Sequence, residues 1–181
     1  MTKCWKMLRS FWKTMEKNKM STSLSQIKDL VSDSLNRLGK KYSKPEAVEL
    51  VLATGLVESR YKYLKQIGSE IALSYWQIEV DTAIDCVENY LAFRPSLVKK
   101  CAEVSDTPMN LWLSTDRERW RWALQANMVV AILLCRLKYW RDPKPLGKTT
   151  SQMAKTWKRV YNTEGGAGTV AHFMEIAGKH I

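Results

Sequence analysis

Ser43-Lys44-Pro45-Glu46-Ala47-Val48-Glu49-Leu50-Val51-Leu52-Ala53-Thr54-Gly55-Leu56-Val57-Glu58-Ser59-Arg60 is the stretch on which the fold turns. Pro45 suits the first position of a helix, where a missing N–H costs nothing. Glu46 follows Ser43 at the spacing of a capping box. Ala47, Val48, Val51, Leu52, Leu56 and Val57 recur at helical spacing, which predicts a helix from Ser43 to about Arg60 with that face buried. Glu58 lies at its end. A carboxyl group held against apolar neighbours loses the hydration of its charged form, so its pKa rises. That makes Glu58 a candidate general acid near neutral pH. The plain alternative is a surface glutamate paired with Arg60 or Lys62.

Helical patterning extends to both sides. Leu24, Ile27, Leu30, Val31, Leu35 and Leu38 form one stripe, and Gly39 ends it. Residues 61–80 are irregular. Gly68 and the alternation of Ile71, Leu73, Tyr75 and Gln77 predict a turn or short hairpin. A helix follows from Asp81 or Thr82, and a short segment begins at Pro95. Thr115 with Glu118 has the capping-box spacing again, and predicts one long helix over Asp116–Tyr139 as the buried centre of the domain. A helix over Ser151–Tyr161, a glycine-rich turn and a last helix capped by Thr169 complete the chain. The reading is mainly α: residues 45–181 as one domain, 21–44 as a connecting amphipathic helix, and 1–20 as a basic arm.

The 181 residues are 45% hydrophobic, enough for a packed core. The net charge of +11 sits mostly in residues 1–45, with eleven basic and three acidic residues. Cys4, Trp5, Leu8, Phe11, Trp12 and Met15 fall on one helical face of the arm, opposite Lys3, Lys6, Arg9, Lys13 and Lys17. Such a helix docks on its own domain or on a partner protein, lies on a membrane surface, or contacts nucleic acid. Nucleic acid has less need of so apolar a second face. Cys4, Cys86, Cys101 and Cys135 are far apart and there are two histidines, so no zinc site, metal or cofactor is expected, and the thiols are expected reduced. The longest apolar run, Met128–Cys135, is too short to span a bilayer, and the N-terminus has no apolar core of a signal peptide. Arg117, Arg119 and Arg121 alternate with Trp120 and Trp122, a mixture that suits nucleic acid or anionic glycan, or simply the exposed turns of a helix. Gly165-Gly166-Ala167-Gly168-Thr169 lacks the lysine and strand of a phosphate-binding loop and reads as a turn.

The order of the motifs adds more. Glu58-Ser59 is followed by Ala72-Leu73-Ser74-Tyr75-Trp76-Gln77-Ile78 and Thr82, and much later by Trp157-Lys158, Tyr161-Asn162-Thr163 and Gly166-Ala167-Gly168-Thr169. Tyr63-Leu64-Lys65-Gln66 and Asn89-Tyr90-Leu91 lie between. Over about residues 46–175 this resembles the soluble lytic transglycosylases, the lysozyme-like cleavers of peptidoglycan, in the versions found in tailed bacteriophages. The family usually has glycine where this chain has Ser74 and proline where it has Val80, and small residues where it has Ser69-Glu70. Serine adds a side chain where the backbone approaches sugar or where φ is positive. Glu70 adds an acid expected to crowd the groove.

The resemblance implies a lysozyme-like helical domain with Glu58 as the one catalytic acid, acting on the bond between N-acetylmuramic acid and N-acetylglucosamine. Ser59 would orient the acid, Gln77 and Tyr161 would line the site, and Trp76 and Tyr75 would offer flat faces to sugar rings. A second carboxylate for a two-acid route would come from Glu70, Glu79 or Asp81. The implied setting is a phage particle, made in the host cytoplasm and acting at the cell wall or periplasm during entry. The implied partners are peptidoglycan glycan strands and, through residues 1–20, other virion proteins. A virion structural or ejection protein that keeps the fold without catalysis, anchored by its arm, is the competing expectation. A membrane-active lysis factor working through the first helix is the third.

Overall fold

A computed structural model describes residues 23–163 and 165–181. The amphipathic arm expected over residues 1–20 lies outside them. Among the described residues the protein is mainly α, with eight α-helices and one two-stranded sheet.

Helix α1 (Leu24–Leu38) buries Ile27, Val31, Leu35 and Leu38 and stops at Gly39, whose φ of 141° few side chains tolerate. Its stripe packs on α2 (Pro45–Ser59), so the 21–44 stretch shares one core with the residues that follow. Pro45 takes the first helical position as its sequence predicts. The expected capping box does not form: Lys44 is the cap, and the Ser43 hydroxyl turns back to the Lys40 carbonyl at 3.4 Å. Helix α2 is buried on nearly every face, which its apolar run permits, and ends as Arg60 turns left-handed.

Where a turn or short hairpin is expected, residues 72–79 form a short hairpin, tighter than the alternation implies. Strands β1 (Ala72–Leu73) and β2 (Ile78–Glu79) pair antiparallel, Ala72 opposite Glu79 and Leu73 opposite Ile78. Ser74 and Gln77 take φ of 65° and 46° in the connecting turn. The Trp76 indole at its tip plugs the core and donates to the Val51 carbonyl at 2.8 Å. Helix α3 (Val80–Asn89) starts directly from β2. Val80 is its first residue, a position that proline also suits.

A 3-10 turn (Leu91–Phe93) and α4 (Pro95–Ser105) lead to a loop closed by the Trp112 indole on Thr107. The single long helix predicted over Asp116–Tyr139 is two helices, α5 (Arg117–Ala126) and α6 (Met128–Trp140). Asn127, with extended φ and ψ, breaks them. Its side chain accepts from the Val129 and Val130 N–H groups and donates to the Ser105 carbonyl at 2.9 Å. The cap of α5 is Asp116 rather than Thr115, accepting from Glu118 and Arg119. Helix α6 is the buried centre, apolar on most faces apart from Arg136 and Lys138, and α1 to α5 pack on it. Helix α7 (Thr150–Trp157) carries a complete capping box from Thr149 and Gln152, continues as a π-helical turn (Lys158–Asn162), and is followed by α8 (Val170–Ala177), capped by Thr169 as its sequence predicts. No helix among the described residues is long and apolar enough to cross a membrane.

Candidate active site

The end of α2, the hairpin, α6, the π-helical turn and the glycine-rich loop enclose a groove of about 750 Å³. Glu58 lines it one residue before α2 ends, and the reason is local. Tyr61 folds back over the helix and donates to the Leu52 carbonyl at 2.7 Å. Its ring occupies the space beside Gly55, where a Cβ would lie 2.5 Å from the tyrosine oxygen. Ser59 donates to the Gly55 carbonyl at 3.3 Å and accepts from the Tyr61 N–H at 3.1 Å. Ser59 therefore fixes the turn that leaves Glu58 facing the groove and makes no bond to the acid, in contrast to the orienting role the resemblance implied.

The Glu58 carboxylate accepts one hydrogen bond, from the Trp157 indole N–H at 2.9 Å. Burial pushes its pKa up to about 7; the Trp157 hydrogen bond and the positive charge of Lys138 pull it back only in part. Lys138 donates to the Tyr161 carbonyl at 3.1 Å and lies over that ring, and burial lowers its own pKa against the pull of Cys135, Glu58, Glu79 and Asp85. Trp157 reaches Glu58 because Gly168 gives way to it: a Cβ there would stand 2.4 Å from the indole. Lys158 fixes the glycine-rich loop by donating to Asn162 Oδ1 and to the Thr163 and Gly166 carbonyls at 2.8 to 2.9 Å. Such cationic capping of free carbonyls is usual at a helix C-terminus.

Tyr161 and Gln77 line the same groove as Glu58, although they lie far from it in the chain. The Tyr161 hydroxyl donates to the Trp76 carbonyl at 2.7 Å, and its ring stacks on Tyr139. Gln77 donates to the Ser74 and Tyr63 carbonyls at 2.8 and 3.3 Å, which leaves its amide oxygen without a partner among the described residues. Two expected sugar platforms are corrected. Trp76 is fully buried with its N–H bonded to backbone, and Tyr75 packs edge-on against Tyr61 and Trp76, outside the groove lining.

Of the three further acids, Glu79 alone lines the groove. Glu70 pairs with Lys65 at 3.4 Å and Asp81 pairs with Arg117, both around a separate small cleft. Glu70 thus does not crowd the groove. Ser74 does not either: it is buried, and its hydroxyl accepts from the Trp76 N–H at 3.2 Å within the turn. The Arg117–Trp122 cluster is mostly spent on structure, with Arg117 on Asp81, Arg119 on Asn110 and the Trp120 indole on the Ser114 carbonyl.

Sequence reasoning missed the roles of Trp157 and Lys138. Trp157 stood in the apolar stripe of its helix and read as core; its four-residue offset from Tyr161 was the available signal. Among the described residues no group of His, Cys, Asp and Glu is placed to hold a metal ion. The site can hold a proton near neutrality on one partly buried carboxyl and deliver it into an open groove. In comparisons with protein-family models, curated proteins and solved structures, the chain matches none.

Proposed function

We propose that this protein cleaves the bond between N-acetylmuramic acid and N-acetylglucosamine in peptidoglycan, by the single-carboxyl route of a lytic transglycosylase on a lysozyme-like helical domain. The observation that carries the proposal is Glu58, whose pKa is raised to about 7 in a groove that also gathers Gln77 and Tyr161. The order of those motifs along the chain supports the same reading and supplies its setting, a tailed-phage particle that breaches the wall during entry. Residues 1–20 would hold the enzyme to other virion proteins.

Protonated Glu58 donates to the bridging oxygen as the C1–O bond breaks. The carboxylate left behind balances the positive charge developing at C1, and the Trp157 N–H and Lys138 stabilise that carboxylate. The C6 hydroxyl oxygen of the same sugar then attacks C1, and its proton returns to Glu58. The atoms balance without water: one fragment ends in a 1,6-anhydro ring, the other in a free hydroxyl, and Glu58 is again protonated. No second acid is needed, unlike the usual two-carboxyl hydrolysis.

Mass spectrometry of fragments released from purified peptidoglycan tests this. Anhydro ends, one water lighter than hydrolytic ends, are expected. Fragments with reducing ends would replace this route by hydrolysis, with Glu79 the acid in the groove left to activate water. No fragments would overturn the enzymatic reading.

A further inference from the structure

Trp120 and Trp122 sit two residues apart on α5, so they point to opposite sides of the helix. Trp120 is fully buried, whereas Trp122 is 71% exposed. Its indole N–H has no hydrogen-bond partner among the described residues. Around it Tyr63, Leu64 and the stems of Lys62 and Lys65 form a cleft of about 500 Å³. Tyr63, 46% exposed, lines this cleft and the Glu58 groove alike, and Ile67, 74% exposed, also lines the groove. Exposed apolar side chains grouped in this way mark a binding surface. Here Tyr63 joins that surface to the groove.

We infer that the groove runs past Tyr63 onto the Trp122 indole, and that this extension holds a distal stretch of the same glycan strand that is cleaved at Glu58. The identity of the strand rests on the function proposed above. A pyranose ring presents an apolar C–H face that a flat indole covers, and the indole N–H remains available to a hydroxyl. Gln125 lines the cleft beside it, a polar group at the edge of an apolar floor, as small-molecule sites have. Lys62 makes no ion pair among the described residues and supplies positive charge for the carboxylates of a wall polymer. Trp122 and Tyr63 therefore extend the groove along the strand, take no part in proton transfer, and set how strongly a long strand is held.

The test uses the full chain carrying Glu58→Gln, so that binding is read without turnover. Its co-sedimentation with purified peptidoglycan is compared with that of the same protein carrying Trp122→Ala, Trp122→Phe or, as a surface control, Lys99→Ala. The expected result is a roughly tenfold higher half-saturation for Trp122→Ala, partial recovery with Trp122→Phe, and no change with Lys99→Ala. Unfolding midpoints matching the parent confirm that the variants are folded. Equal sedimentation of Trp122→Ala and its parent overturns the inference. So does a loss confined to binding of another protein, which would make the patch a protein-docking surface. The two readings separate cleanly. Retention that depends on Trp122 in a protein whose unmutated form releases no fragments keeps this surface and removes the cleavage reading. Fragment release with retention indifferent to Trp122 keeps cleavage and removes the surface.

Discussion

Glu58 keeps its proton up to about pH 7 because burial outweighs the two groups that favour its charge, Trp157 and Lys138. In the proposed chemistry the resting enzyme must be protonated, so kcat/KM is expected to fall as pH rises through about 7. Trp157→Phe keeps an aromatic ring beside Phe173 and removes the indole donor, which favours the carboxylate over the protonated acid. It should move that alkaline limb to higher pH, and a limb that stays in place or moves down would contradict the assignment. The same shift couples to stability. Below the ordinary carboxyl value of 4.5 both the native and the unfolded chain carry the proton, and the group favours neither. Above about 7 the native state must bury a carboxylate that the unfolded chain hydrates, so stability is lost as pH rises through that window. Glu58→Gln removes this titration. Its stability relative to the parent should rise by up to about 3 kcal/mol from pH about 4.5 to about 8, read by denaturant unfolding at each pH. A pH-independent difference would mean that Glu58 titrates normally.

At the scale of elements, Asn127 separates α5 from α6 by three hydrogen bonds, two to the backbone of α6 and one to Ser105. Asn127→Ala leaves those partners unmet and should cost about 2 kcal/mol in denaturant unfolding. A change within a few tenths would show the break to be set by packing alone. Ser74 stands where the resembled family has glycine, and its φ of 65° is the conformation glycine serves. Ser74→Gly trades one hydroxyl bond to the Trp76 N–H against that left-handed backbone. It should alter stability by no more than about 1 kcal/mol and preserve fragment release. Ser74→Val should lose both, because a branched side chain resists that φ. The helix ends at Gly39, Pro45 and Thr169 were legible in the sequence because each acts through its own backbone. The break at Asn127 was not, because apolar residues continue on both sides and the Ser105 carbonyl that holds it lies 22 positions away. Ser43 misled for the opposite reason: its spacing to Glu46 was right, but a local bond to Lys40 captured the hydroxyl. In the site, Glu58, Gln77 and Tyr161 line one groove, as the resemblance implied, whereas the bond from Trp157 to Glu58 spans 99 positions and looked like core packing.

Across the whole molecule, charge and chemistry occupy different parts of the chain. Residues 1–45 hold most of the +11, and the groove residues all follow them. The apolar content forms a core centred on α6, which fixes α2, the hairpin and the π-helical turn around Glu58. What the assembly is proposed to do depends on a single proton moving both ways at Glu58. The decisive measurement is therefore release of soluble fragments from purified peptidoglycan by the full chain and by Glu58→Gln. Release by the unmutated protein is expected, with a loss on the order of a thousandfold in the variant and its fold intact. Equal release by both proteins, or none by the unmutated chain, would contradict the proposal.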